Sequence, residues 1–111
     1  MKQTMAASTG TTNYTGLALN DKDLFTNVIN ATTTFDPASL ATYTGSTSSA
    51  ITVAGALLGD FVLVAAPYDQ SGVIATGYVT AANTVKITVF NATAGTVDLA
   101  SGTWKIKVLK G

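Results

Sequence analysis

The sequence contains no cysteine, histidine, arginine or glutamate. Each absence removes a class of chemistry. Without Cys there is no disulfide framework, thiol nucleophile or thiolate metal site. Without His there is no imidazole base, catalytic triad or His-based zinc centre. Without Arg there is no bidentate reader of phosphate or guanine. Charge is scarce as well: 11% of 111 residues, against about 25% in an ordinary soluble domain. Six lysines balance six aspartates, so the net charge is +0 and nucleic acid is not an expected partner. No catalytic residue, metal ligand set or cofactor site can be named, and a structural or binding role is expected rather than an enzyme. Long apolar runs are missing too. The most apolar stretch, Ile51 to Tyr68, is interrupted by Gly55, Gly59, Asp60 and Pro67. A membrane-spanning helix needs about 20 mostly apolar residues, so no membrane partner is expected. Gln3 to Tyr14 are polar and small, and no export signal is visible.

What is present is Thr above all, with Ala, Val, Gly and Ser. Thr and Val suit the pleat of a strand, and short strands between turn residues predict an all-β sandwich or barrel. The spacing predicts strands over Thr84 to Phe90, with Val85, Ile87 and Val89 on one face, and over Trp104 to Leu109. There Trp104, Ile106 and Val108 oppose Lys105 and Lys107. Phe61 to Ala66 is apolar on both faces and reads as a central strand, with the core on one side and a partner or arm on the other. Val73 to Thr80 is a further strand, with Gly77 as a bulge or close-packing point. Ile51 to Val53 is short. Ala81, Ala82 and Asn83 make a tight hairpin. Asp36-Pro37-Ala38-Ser39-Leu40 carries an N-cap Asp and a first-turn Pro, which predicts one helical turn. Tyr43 to Ala50 reads as a surface loop. The chain thus divides into residues 1–35, an extended N-terminal arm or peripheral strands, and residues 36–111, a small antiparallel β-sandwich of jelly-roll or immunoglobulin-like kind. Its weakly charged surface is easily buried, which points to permanent assembly.

Several short motifs invite a chemical reading. Asp21-Lys22-Asp23 lacks the further oxygen ligands of a calcium loop and reads as a solvated turn. Gly55-Ala56-Leu57-Leu58-Gly59 lacks the Lys-Ser/Thr ending of a phosphate loop and leads into a strand. Asn13, Asn30 and Asn91 each begin a glycosylation pattern, read as coincidence in so Thr-rich a chain. Asp60, Asp69 and Asp98 sit in turn contexts, where Asp bonds to backbone, rather than forming an acid/base pair. Trp104 with Tyr43, Tyr68 and Tyr78 could build a sugar-stacking platform, although Trp104 holds an inward strand position and reads as core. Tyr43, Tyr68 and Tyr78 are the candidate exposed aromatics. Lys105 and Lys107 share a strand face, suited to keeping that face soluble or to meeting an acidic partner. With Phe61 and Leu63 of the doubly apolar strand, they are the candidate assembly contacts.

One resemblance adds to this reading. Asp36-Pro37-Ala38-Ser39-Leu40-Ala41, Gly59-Asp60-Phe61-Val62-Leu63-Val64 and Gly72-Val73 carry it first. Tyr78 to Val85, Phe90-Asn91-Ala92-Thr93, Val97 to Trp104 and Lys105-Ile106-Lys107-Val108 complete it. This stretch, about two thirds of the chain, resembles the head decoration, cement and head-fibre proteins of bacteriophages. Similar sequences often have Arg in the last strand where this one has Lys105 and Lys107, so no Arg-borne phosphate or sugar role carries over. The resemblance implies a homotrimer made in the host cytoplasm and placed on the virion's capsid exterior, bound to the major capsid protein at subunit junctions. The alternative is a host-attachment or carbohydrate-binding module of a phage fibre or spike; a tail or connector component is a third reading.

Overall fold

The structure is a computed structural model; it describes residues 27–110 in full and the backbone of Leu17–Leu19 and Lys22–Phe25. Residues 1–16, the first part of the expected N-terminal arm, lie outside the described residues, as do positions 20, 21, 26 and 111. Two short strands, β1 (Leu17–Leu19) and β2 (Lys22–Phe25), form an antiparallel hairpin. They are followed by β3 (Asn27–Phe35), β4 (Gly45–Thr47), β5 (Ile51–Thr52), β6 (Phe61–Ala65), β7 (Val73–Ala81), β8 (Thr84–Asn91) and β9 (Gly102–Lys110). The chain is all-β, with antiparallel pairing throughout and no helix among the described residues.

Seven of the strands build two sheets. In the first, β9 lies between β3 and β6. In the second, β8 pairs with β7 along one edge, and with β4 and β5 in succession along the other. The sheets pack face to face because each central strand alternates. Val85, Ile87 and Val89 of β8 and Trp104, Ile106 and Val108 of β9 are all buried in one core, joined by Leu40, Val53, Val73 and Leu99. Burying each such side chain contributes about 1.5–3 kcal/mol. Trp104 is the largest of them and is met edge-on by Phe35 and Tyr68, with ring centroids 5.4 and 6.1 Å away. At Gly77, β7 approaches β6 of the other sheet closely. A Cβ there would stand 2.6 Å from Val64 Cγ1 and 2.7 Å from Val62 Cγ1 of β6. Gly77 is therefore a close-packing point, and the β7 bulge falls instead between Val79 and Ala81.

Polar groups fix the sheet ends. The β7–β8 hairpin turns at Ala82-Asn83, and Asn83 takes a positive φ of 63°. Its side-chain oxygen accepts from Gly55 N at 2.8 Å, tying the turn to the loop after β5. Asn91 is fully buried: its Nδ2 donates to the carbonyls of Leu40, Ala41 and Gly95, and its Oδ1 accepts from the N–H and hydroxyl of Thr93. It thereby clamps two loops to the end of β8, and its amide is not available to a glycan in the folded chain.

Four expectations are corrected. The stretch Asp36 to Leu40 forms no helical turn; it runs irregularly to buried Leu40, which is held in a backbone bridge to Val97. Tyr43 to Ala50 is not wholly loop, since β4 pairs with Thr88–Phe90. The break after β4 is closed by Ser48, whose N–H donates to Ile87 O at 2.7 Å and whose Oγ accepts from Ile87 N at 2.9 Å. The sandwich begins at Asn27 rather than Asp36, because β3 pairs with β9 over its whole length and packs Ile29, Ala31 and Phe35 on the core. Finally, β6 is an edge strand and not a central one: among the described residues it pairs with β9 alone.

Candidate functional site

Residues directly opposite in an antiparallel pair point to the same face. The register of the β9 sheet therefore sets out its outer surface in rows. Asn30, Lys107 and Leu63 form one row; Thr32, Lys105 and Ala65 form the next; Val28, Leu109 and Phe61 form a third. A groove of about 630 Å³ runs over this face, walled by Leu63 and Ala65 on one side and by Asn30 and Thr32 on the other, with Lys105 and Lys107 along its middle. No carboxylate lines it. Phe61 is 67% and Leu63 56% exposed. The four candidate assembly contacts thus lie on one face of one sheet. Lys105 and Lys107 make no hydrogen bond or ion pair among the described residues.

Asp60, Asp69 and Lys110 have structural work. Asp60 Oδ2 pairs with Lys110 Nζ at 2.5 Å and accepts from Leu57 N at 2.9 Å. Lys110 also donates to Gly55 O. The Lys110 hydrogen bond, then the Leu57 N–H, hold the Asp60 carboxyl below its ordinary value of 3.8 against a smaller opposing effect of desolvation. This network straps the Gly55–Gly59 turn to the end of β9. Asp69 accepts from Ser71 N in an Asx turn. Among the described residues no group of three or more carboxylates is gathered as a metal site. Of Asp21-Lys22-Asp23, Lys22 and Asp23 lie in β2, and Asp21 lies outside the described residues.

The three tyrosines are dispersed. Tyr43, 65% exposed, sits in the turn before β4. Tyr78 lies on the outer face of the β8 sheet, where its hydroxyl meets Thr88 Oγ1 at 2.8 Å. Tyr68, expected to be exposed, is half-buried: it packs edge-on to Trp104, donates to Ala100 O and accepts from Trp104 Nε1. No two of the three rings are in contact among the described residues, so no stacking platform is assembled.

No family model, curated protein or solved structure matches this chain.

Other exposed apolar side chains escaped the sequence reading. Leu57 and Leu58 project from the turn before β6, and Ile74 stands opposite Phe90 on the outer face of the β8 sheet. The leucines had a visible signal, two large apolar residues inside a glycine-flanked turn. Ile74 and Phe90 had one too, since alternation puts them on the face opposite Val73 and Val89.

Proposed function

We propose that this chain is a non-enzymatic structural protein of a phage virion, which binds the outside of an assembled capsid and stabilises the junctions between its subunits. Its partners are the major capsid protein and further copies of itself. The observation that carries the docking part is the outer face of the β9 sheet, where Leu63, Lys105 and Lys107 line one groove and exposed Phe61 stands in the adjoining row. An apolar surface with two lysines and no carboxylate suits a partner of mixed apolar and acidic character. Many copies of a modest contact, repeated over a shell, add as avidity. The virion setting is supported by the resemblance carried between Asp36 and Val108. A role without catalysis is supported by the absence of His, Cys, Arg and Glu and by the use of Asp60 and Asp69 to close turns.

The test is co-sedimentation of the purified chain with assembled phage capsids and, separately, with unassembled capsid subunits. The chain is expected in the shell pellet, with binding weakened by salt. The double variant Lys105→Glu/Lys107→Glu should lower apparent affinity about tenfold or more, since each 1.4 kcal/mol is a factor of ten. A chain that stays in the supernatant would refute the proposal. Equal binding by the double variant would remove this face from it.

A further inference from the structure

Among the described residues, eight large hydrophobic side chains are exposed, and four of them, Leu57, Leu58, Phe61 and Leu63, fall within seven residues. That cluster ends in β6, whose second edge has no backbone partner among the described residues. Free edges are normally protected by charge, proline, bulges or shortness. The other edges of the sandwich show such devices or are polar. β7 is bulged, β4 and β5 are only three and two residues long with a break at Ser48, and β3 carries Asn27, Asn30, Thr32 and Thr34. β6, Phe-Val-Leu-Val-Ala, has no charge, proline, glycine or bulge.

We propose that the open edge of β6 is the site where a second copy of this chain docks, by antiparallel pairing of β6 with itself about a two-fold axis at Leu63. The sequence of the strand fits this occupant. Pairing about Leu63 sets Val62 opposite Val64, β-branched against β-branched, and large Phe61 opposite small Ala65. Leu63 then meets Leu63 of the second copy. A two-fold interface must be self-complementary, and cross-strand pairs of this kind are the favourable ones. Charge does not oppose it. Row by row the joined sheet reads Asn30, Lys107, Leu63, then Leu63, Lys107 and Asn30 of the second copy. The two Lys107 positions are three strand spacings apart, about 14 Å, beyond the screening length of about 8–10 Å at ordinary salt. The product is a six-stranded sheet, with the two lysine grooves side by side on one outer face. This deepens the reading of that face as an assembly surface and does not depend on the capsid.

The experiment is the mass of the full chain in solution by light scattering over a range of concentrations, with two variants. Twice 11.3 kDa is expected. Leu63→Lys puts like charges opposite each other at the axis and should raise the dissociation constant about tenfold or more. Leu63→Cys introduces the chain's sole thiol directly opposite its own copy, and mild oxidation should yield a covalent pair, whereas Thr32→Cys on the far edge strand should not. A mass equal to one copy at every concentration would overturn the proposal. So would a mass of three copies, growth into larger species, unchanged association of Leu63→Lys, or equal cross-linking at both positions. A three-copy particle would still agree with capsid decoration, and a two-copy particle that ignores capsids would refute that function while keeping the strand pairing.

Discussion

The two central strands, β8 and β9, do the same work inward and different work outward. Each sends three alternating side chains into the shared core. Outward, Thr88 of β8 is tied at 2.9 Å to Thr47 Oγ1 and at 2.8 Å to the Tyr78 hydroxyl, one hydroxyl network across three strands. On β9, Lys105 and Lys107 lie between an apolar and a polar wall and make no polar contact among the described residues. The inward likeness makes a stable sandwich. The outward difference leaves one sheet with its own lateral polar links and the other with a groove and an apolar edge that is unpaired among the described residues.

Substitutions can break or sharpen this comparison, and their effects rank by burial. Trp104→Ala should cost about 3–5 kcal/mol by denaturant unfolding, because it empties the centre of the core and strips Phe35 and Tyr68 of their shared contact. Asn91→Ala should cost about 2–4 kcal/mol, since it orphans buried carbonyls in both loops at the end of β8. Gly77→Ala pushes a methyl into Val62 and Val64 and should cost about 1–3 kcal/mol, with a lowered unfolding midpoint as the readout.

On the outer faces the changes are smaller and the two strands should part company. Thr88→Val removes a hydroxyl shared by two partners and should cost about 0.5–1.5 kcal/mol, whereas Lys105→Ala should stay within about 0.5 kcal/mol. Equal losses at the two sites would erase the contrast drawn between the sheets. Acid offers the last test. The Asp60 carboxyl is depressed in the folded chain, so its contribution to stability is fully present above the ordinary value of 3.8. It is lost as pH falls through the lower folded value. Thermal unfolding of Asp60→Asn should therefore show a weaker fall below pH 3.8 than the parent chain, with the pairing to Lys110 as the cause.

Alternation made β8 and β9 legible in advance, down to which residues are core, because a half-buried strand writes its two environments into neighbouring residues. The same rule located Lys105 and Lys107 on one face. β6 was harder. A strand apolar on both sides looks central whether its second edge is paired or open, and only the sheet order shows that it comes last in its sheet among the described residues. The three residues of β4 were hidden because Gly-Ser-Thr has no pattern of its own, and pairing with β8 makes them a strand. Tyr68 was expected to be exposed, and nothing local announced that its ring packs edge-on against Trp104.

Composition and the spacing of turn residues together pointed to the all-β class, and composition removed thiol, imidazole and guanidinium chemistry, because Cys, His and Arg are absent. Local pattern determined the two central strands and the hairpin at Asn83, because alternation and turn chemistry act over a few residues. Only the tertiary structure decided that β3 belongs to the sandwich, that Phe61 and Leu63 share a face with Lys105 and Lys107, and that β6 stands at an edge. Those facts depend on pairing between residues far apart in the chain, and strand order is set by the burial of a whole face rather than by any stretch of sequence.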